Sequence, residues 1–151
     1  RKRGVLVSDG ADAGLLAALR TTFEEEGAMV EIVAPRVGGV EASDGSRIEA
    51  KHMIDGGPSV LFDAVAIVVS EEGAERLTGE AAARDFVANA YAHCKFFGYA
   101  AAALPLFEKA GIPLDEEDEG LIPLDGGDAV TDFLAACRKL RLWAREDRVK
   151  L

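Results

Sequence analysis

Cysteine, basic charge and long apolar runs are all scarce in this sequence. Two cysteines occur among 151 residues, and 17 lysines and arginines face 27 acidic residues, which gives a net charge of −10. Cys94 and Cys137 stand far apart among apolar neighbours, a pattern that favours reduced core thiols in a cytoplasmic protein. No CxxC or HxxxH spacing occurs. The sequence therefore predicts no metal site.

The shortage of basic residues also bears on possible partners. Nucleic-acid binding depends on clustered lysine and arginine, so we expect no nucleic-acid partner. Because no apolar run approaches the roughly 18 residues of a membrane-spanning helix, we expect no membrane partner either. The basic residues gather at 1–3 and 138–150. We interpret these groups as solvated ends or as an anchor to a neighbouring domain.

Apolar runs of strand length alternate with helical patterns along the chain. The apolar fraction of 49% and the charged fraction of 29% are typical of a soluble globular domain. Strands are predicted at 4–8, 28–34, 63–70, 95–98 and 120–123, with helices at 15–23, 70–91, 100–110 and 128–144. Gly27 and Gly111 are natural helix ends, and Asp128 is a natural cap. This order predicts a flavodoxin-like three-layer α/β/α sandwich with a mainly parallel sheet.

Residues 37–50 depart from this alternation because their apolar period is two. Asp44-Gly45 lies between two short alternating runs, which is a strong signal for a β-hairpin. We expect this hairpin to project from the sheet or to cover one of its edges. The following residues, 51–60, are predicted to be irregular, with a short helical turn over 58–62. His52 is interpreted as a surface residue of that loop.

The segment from His93 to Gly111 is predicted to be a buried strand that turns directly into a helix. In open α/β sheets, such a turn at the carboxyl edge often carries a nucleophile or a ligand site. Here Tyr99 occupies the turn, and no serine, cysteine or threonine occurs from Gly98 to Leu106. A phenol is a poor nucleophile near neutral pH. We therefore expect no catalytic residue at this elbow, and we expect Tyr99 to pack against the hairpin.

Nucleotide-binding and phosphotransfer motifs are also missing. Residues 8–14 offer two glycines and two carboxylates where a dinucleotide site needs G-x-G-x-x-G, and they lack the serine- and threonine-rich loop of an FMN site. Ser70 stands where a response regulator needs its phosphorylated aspartate. Residues 113–119 are strongly acidic but lack the spacing of a calcium loop. We interpret them as a solvated connection.

Cys94 and His93 could in principle form a nucleophile and base pair. Because these neighbours are predicted to enter a strand, their side chains should point to opposite faces. The sequence therefore favours a buried cysteine and an edge histidine over a catalytic pair.

Five segments together carry a resemblance to a known family. They are GVLVSDGADAGLLAALR, VEIVAPRVGGVEASDGSRIEA, PSVLFDAVAIVVS, FVANAYAHCKFFGY, and EGLIP before a helix that ends in RLWARE. In order and spacing they resemble the C-terminal domain of large-subunit haem catalases of the hydroperoxidase II type. That domain falls in the DJ-1/PfpI, or class I glutamine amidotransferase-like, superfamily.

Two departures from the enzymes of that superfamily concern the site. Those enzymes place a catalytic cysteine at the elbow, where this chain has Tyr99 or an immediate neighbour of it. They also bring a glutamate from the first helix, whereas residues 12–19 here contain none. The resemblance therefore does not carry over a protease, glyoxalase or deglycase activity.

The resemblance implies a non-catalytic accessory domain, formed by residues 1–151 and excised from a longer chain. The parent would convert hydrogen peroxide to water and oxygen at haem, in a homotetramer. Haem would be held by an upstream barrel domain, with no cofactor in this domain. The accessory role would lie in stability, assembly, access to the haem channel or a chaperone-like surface. The alternatives are a stand-alone DJ-1/PfpI-like hydrolase or glyoxalase, and a small-molecule sensor with its pocket under Tyr99.

Overall fold

A six-stranded parallel sheet organises the chain. The computed structural model describes residues 1–116, 118–125 and 128–149. The sheet strands are β1 Lys2–Val7, β2 Met29–Ala34, β5 His52–Met53, β6 Ala64–Val68, β7 Phe97–Tyr99 and β8 Leu121–Pro123. Their order is β5-β2-β1-β6-β7-β8, and every neighbouring pair is parallel. Without β5 this is the flavodoxin order, which confirms the predicted fold class.

Within the described ranges, five α-helices cover the two faces of the sheet. They are α1 Ala13–Glu25, α2 Glu71–Thr78, α3 Ala81–Ala92, α4 Leu104–Lys109 and α5 Ala129–Cys137. Side chains alternate along a strand, so Val5 and Val7 pack in a core with α1 and α5, while Leu6 packs in a second core with the other three helices. The result is the three-layer arrangement that the sequence predicts.

The ends of α1 and α4 and the start of α5 lie next to the residues that the sequence marks, Gly27, Gly111 and Asp128. Asp12 caps α1, because its carboxylate accepts a hydrogen bond from the backbone N–H of Leu15. Gly27 and Gly111, which follow α1 and α4, have φ angles of 80° and 86°. Asp128 precedes α5 as predicted, but its side chain makes no capping hydrogen bond.

The predicted hairpin is present and lies over the end of β1. Its strands are β3 Val40–Glu41 and β4 Arg47–Ile48, which pair antiparallel. At the turn, Gly45 has a φ of 83°, and the backbone N–H of Ser46 donates to the Asp44 carboxylate at 2.9 Å. The hairpin is joined to the sheet by an isolated bridge between Ala11 and Ala42. It therefore covers the carboxyl edge of the sheet.

Two short features were missed by the sequence analysis. His52 and Met53 form β5, a strand of only two residues at the edge beside β2, although the sequence predicts a loop there. A two-residue strand has no period to detect. The predicted helix over 70–91 is two helices, because the chain breaks around Gly79 and Glu80.

The last helix is shorter than predicted. The apolar pattern predicts a helix to Ala144, but α5 ends at Cys137 and a separate 3₁₀ helix covers Trp143–Arg148. Leu140, with a φ of 66°, lies in the connection, where its left-handed backbone is incompatible with a continuous helix. None of the helices in the described ranges is both long and apolar enough to cross a membrane.

Candidate functional site at the carboxyl edge of the sheet

The predicted elbow forms between β7 and α4, and none of its residues has a positive φ. Tyr99 is the last residue of β7, and a short 3₁₀ turn over Ala101–Ala103 leads into α4. The N–H of Ala100 donates to Ile67 O at 2.9 Å, and Tyr99 O accepts from the N–H of Leu124 at 2.8 Å. Ala100 has a φ of −77°. This turn therefore lacks the strained geometry that exposes a nucleophile in a nucleophile elbow.

Tyr99 packs on the helix that follows it. Its ring lies edge-on to the ring of Phe107, with 5.1 Å between the centroids. The expected packing against the hairpin is wrong, because Tyr99 belongs to the core below α2, α3 and α4, whereas the hairpin residue Val40 belongs to the opposite core. Burial raises the pKa of Tyr99, and the charge of Asp125 raises it further. The phenol therefore stays protonated at neutral pH.

A cleft of about 460 Å³ opens beside the elbow. It is lined by Glu71, Glu75, Thr78, Ala101, Ala102 and Pro105. The Thr78 hydroxyl donates to Glu75 O at 2.5 Å, so it serves its own helix. Tyr99 is not among the lining residues, so this cleft does not lie under its ring.

Two serines join the ends of β1 and β6. The backbone N–H of Ser70 donates to Ser8 Oγ at 3.1 Å, and the Ser70 hydroxyl donates to Asp9 O at 2.7 Å. Ser70 Oγ also accepts from the N–H of Gly73 at 3.0 Å and so caps α2. These hydroxyls are used within the fold, and no base in the described part of the chain hydrogen-bonds to them.

Asp9 fastens the hairpin to the sheet. Its carboxylate accepts a hydrogen bond from the N–H of Glu41 at 3.0 Å and forms an ion pair with Arg36. The hydrogen bond from Glu41 and the charge of Arg36 hold the pKa of Asp9 below its usual value, against the effect of burial. An open cleft of about 820 Å³ adjoins these residues. The carboxylate is ionised but already engaged, so it acts as a structural tie.

Both cysteines are buried away from the elbow. Cys137 lies in α5 under the sheet, where burial raises its pKa to about 12. Cys94 is 2% exposed, and burial raises its pKa as well. Thiolates are the reactive form, so raised pKa values indicate inert thiols. The prediction of reduced core cysteines is consistent with their burial and with the free state of both.

The prediction that His93 and Cys94 enter a strand, with their side chains on opposite faces, is wrong. Neither residue enters a strand: His93 is the C-cap of α3, and Cys94 sits in a turn with a φ of 61°. β7 begins only at Phe97. His93 Nδ1 lies 2.7 Å from Asn89 O. In the described ranges no hydrogen bond joins the Cys94 sulfur to His93, so the two are not arranged as nucleophile and base.

A buried ion pair at the amino edge of the sheet was missed by the sequence analysis. Arg145 is 0% exposed. Its guanidinium donates to both oxygens of Asp118 at 2.6 and 2.8 Å and to the carbonyl of Lys95 at 2.7 Å, and it lies 4.4 Å from the Tyr91 ring centroid. Burial alone would raise the pKa of Asp118, but the hydrogen bonds and charge of Arg145 hold it below its usual value. The pair ties the C-terminal segment to β7 and β8.

This ion pair corrects two predictions. The C-terminal basic group is not simply a solvated end, because Arg145 is buried. The acidic stretch is not only a solvated connection, because Asp118 is the ion-pair partner of Arg145. Glu117, within that stretch, and Lys150, at the end of the basic group, lie outside the described residues. No periodic pattern marks Arg145 or Asp118 in the sequence. The N-terminal basic group also differs from its prediction, because Arg3 is buried with its guanidinium over the Phe23 ring.

His52 also differs from its prediction. Its Nε2 lies 2.9 Å from the buried carboxylate of Glu31, whose other oxygen is 3.2 Å from Lys51 Nζ. The contact with His52 and the neighbouring lysines lower the pKa of Glu31, although burial opposes this. The side chain of His52 is part of a charged cluster on β2 and β5 and is not a free surface group.

The described residues offer no built site for a metal or for haem. No group of three or more histidine, cysteine, aspartate or glutamate side chains is placed to hold a metal within those ranges. The linings of five clefts formed by the described residues contain no tyrosine, so none of these clefts combines a tyrosine with a histidine.

The chain matches a known family of protein domains. The family model that matches it is described as the C-terminal domain found in long catalases, and the match covers residues 1–147. The chain belongs to this family. Catalase C of Rhizobium meliloti (strain 1021) is 54% identical over 151 residues, which are 100% of this chain and 21% of that protein. Catalase HPII of Pseudomonas putida is 30% identical over 146 residues, which are 97% of this chain and 20% of that protein.

The catalase C-terminal domain thus spans about a fifth of the length of these curated relatives. Its fold is shared with DJ-1 proteins. Drosophila melanogaster DJ-1beta gives a TM-score of 0.77 at 16% identity, covering 99% of this chain and 95% of that chain. Oxidized DJ-1 of Toxoplasma gondii gives a TM-score of 0.75 at 18% identity, and the match covers 98% of this chain and 95% of that chain. The predicted resemblance is therefore confirmed for both family and fold.

Proposed function

We propose that this chain is a non-catalytic accessory domain of a long haem catalase. The supporting observation is the elbow: in a member of a family found in long catalases, the turn carries Tyr99 and alanines, and the thiols of Cys94 and Cys137 are buried with raised pKa values. Hydrogen peroxide would be disproportionated at haem held elsewhere in the polypeptide. This domain would bind no cofactor of its own.

The domain would act through its contacts. Its partners would be an upstream catalase barrel domain and the other subunits of a homotetramer in the cytoplasm, and its contribution would be to stability, assembly or a chaperone-like surface. Residues 1–151 would then be one domain of a longer polypeptide. The net charge of −10 supports protein partners over nucleic acid.

The first test is the coding sequence immediately upstream of Arg1. We expect a haem-catalase barrel there, and a gene that encodes no such barrel would contradict the proposal.

Where the barrel is present, the long protein is compared with a version that stops before Arg1. We expect equal peroxide turnover per haem but faster thermal inactivation and weaker assembly in the short version. Loss of turnover per haem at ambient temperature, with haem still bound, would assign the domain a catalytic part.

The alternative, a DJ-1/PfpI-like hydrolase or glyoxalase, is tested on the chain itself. Methylglyoxal, peptide and ester substrates are assayed, and we expect no turnover because the elbow has no nucleophile. Turnover that disappears in Cys94→Ala but persists in Cys137→Ala would establish the alternative.

A further inference from the structure

An open groove of about 610 Å³ lies at the amino edge of the sheet, on the side opposite the elbow. We call it the amino-edge groove. It runs between the C-terminal segment, residues 138–149, and the short 3₁₀ helix Ser59–Leu61 that precedes β6. Its lining residues are Val60, Ala92, His93, Cys94, Lys95, Arg141, Trp143, Glu146 and Val149.

The rim of the amino-edge groove is apolar and exposed. Trp143 and Val60 are each 66% exposed, and Leu61 beside Val60 is 45% exposed. Single exposed apolar residues are ordinary, but several grouped at a groove typically mark a binding surface, and tryptophan is enriched among residues that dominate binding. The rim therefore suits an apolar side chain.

The floor of the groove carries a buried cation. Lys95 is 2% exposed, and its ammonium donates one hydrogen bond, to Ser59 O at 2.6 Å. In the described part of the chain no second hydrogen bond reaches this ammonium, and no carboxylate lies within 4.0 Å of it. Burial, with a smaller contribution from the charge of Arg141, lowers the pKa of Lys95 to about 8, and the charge of Asp63 opposes this shift. The ammonium is therefore mostly protonated at neutral pH. A buried ammonium with one neutral acceptor has unused donors.

Arg141 adds a second positive charge without a salt bridge in the described ranges. Its guanidinium donates to two carbonyl oxygens, those of Asp63 at 3.1 Å and Leu140 at 2.9 Å. The Asp63 carboxylate accepts instead from the backbone N–H of Lys2 and lies 3.9 Å from Arg3. Glu146 is the one acidic residue that lines the groove. The chain as a whole has a net charge of −10, but this groove contains two positive side chains, Lys95 and Arg141. The groove therefore favours an acidic occupant.

We propose that the amino-edge groove binds a polypeptide segment, from outside these 151 residues, that carries an apolar side chain next to a carboxylate. The carboxylate pairs with Lys95 and Arg141, and the apolar side chain lies on Trp143 and Val60. The curated relatives extend well beyond this domain, which makes up 21% of Catalase C from Rhizobium meliloti (strain 1021), so they contain ample polypeptide of this kind. The inference rests on the proposed accessory role, because that role requires a docking surface.

The test uses the tryptophan of the rim as its reporter. Trp143 is the only tryptophan of the chain, so its emission reports on the groove directly. The probe is an acetylated, amidated hexapeptide with leucine, phenylalanine and two aspartates, and its control replaces both aspartates by asparagine. We expect a blue shift of the emission and about tenfold tighter binding of the acidic peptide, as charge-assisted hydrogen bonds imply. This preference should shrink in 1 M salt, where screening is strong.

Two variants locate the effect. Lys95→Met and Arg141→Gln should each remove most of the preference for the acidic peptide, while Arg20→Gln, at an exposed position of α1, should keep it. Circular dichroism confirms that each variant is folded. If Lys95→Met does not fold, Arg141→Gln decides the matter.

Equal affinity for the two peptides, or an unchanged preference in both groove variants, would overturn the proposal. Emission that shifts with protein concentration in the absence of peptide would place a second copy in the groove and would also overturn it. Either failure leaves the accessory role standing, because that role is judged by the upstream coding sequence and the thermal inactivation of the long protein.

Discussion

The two edges of the sheet carry opposite kinds of residue. The carboxyl edge, where α/β proteins usually have their active sites, carries an alanine-rich turn. Its polar side chains Ser8, Asp9 and Ser70 form hydrogen bonds with other groups of the fold. The amino edge holds the buried ion pair of Arg145 and Asp118 and the buried ammonium of Lys95. The polar side chains of the carboxyl edge therefore serve to hold the fold together. The amino edge, in contrast, contains charged side chains whose burial costs free energy.

The largest expected effect comes from breaking the buried ion pair. Asp118→Asn leaves the guanidinium of Arg145 buried without its counter-charge, so we expect the free energy of unfolding to fall by about 3–5 kcal/mol. Urea unfolding followed by Trp143 emission measures it. Asp115→Asn, at an exposed position of the same acidic stretch, is the control and should change little. A loss in Asp118→Asn no larger than in the control would show that the amino edge does not depend on this pair.

A smaller effect is expected from the pH dependence of Lys95. The folded ammonium releases its proton near pH 8, whereas an unfolded lysine keeps it to about pH 10.4. Between these values the unfolded state binds more protons, so stability rises with pH. The wild type should therefore gain about 2 kcal/mol relative to Lys95→Met between pH 7 and pH 10. Unfolding free energies of both proteins at the two pH values give the difference. A difference that stays constant would mean that Lys95 is not desolvated.

The smallest effect is expected at the elbow. Tyr99→Phe removes a hydroxyl that makes no hydrogen bond within the described residues and keeps the ring on Phe107. We expect a change in unfolding free energy within about 0.5 kcal/mol. Thermal and urea unfolding of the variant provide the measurement. A decrease in unfolding free energy of more than about 1 kcal/mol would show that the Tyr99 hydroxyl has a hydrogen-bond partner. The elbow would then contain a polar interaction that contradicts this comparison of the two edges.

Much of the carboxyl edge could be predicted from the sequence. The β-branched run before Ser70 and the apolar run around Phe97 are continuous because parallel strands are buried on both faces, so these two strands and the elbow that follows β7 were predictable. The identity of Tyr99 at the turn is a property of the sequence alone. Its packing partner was not predictable, because it depends on which face of β7 the residue occupies.

The amino edge could not be predicted in the same way. Arg145 and Asp118 are 27 positions apart, and charged residues are usually exposed, so nothing local distinguishes them from solvated neighbours. Lys95 was counted within a strand run, although β7 starts at Phe97 and the lysine precedes it in the turn after Cys94. The left-handed backbone at Cys94 and Leu140 redirects the chain at both places, and neither position has the glycine that would signal it.

By itself, the sequence determined the alternation of strands and helices, the hairpin at Asp44-Gly45 and the lack of serine, cysteine and threonine at the elbow, because each depends on residues close together in the chain. The tertiary structure alone decided which charges are buried and with what they pair. A long-range ion pair forms only after strands from distant parts of the chain have come together, and the energy of burying it depends on everything packed around it.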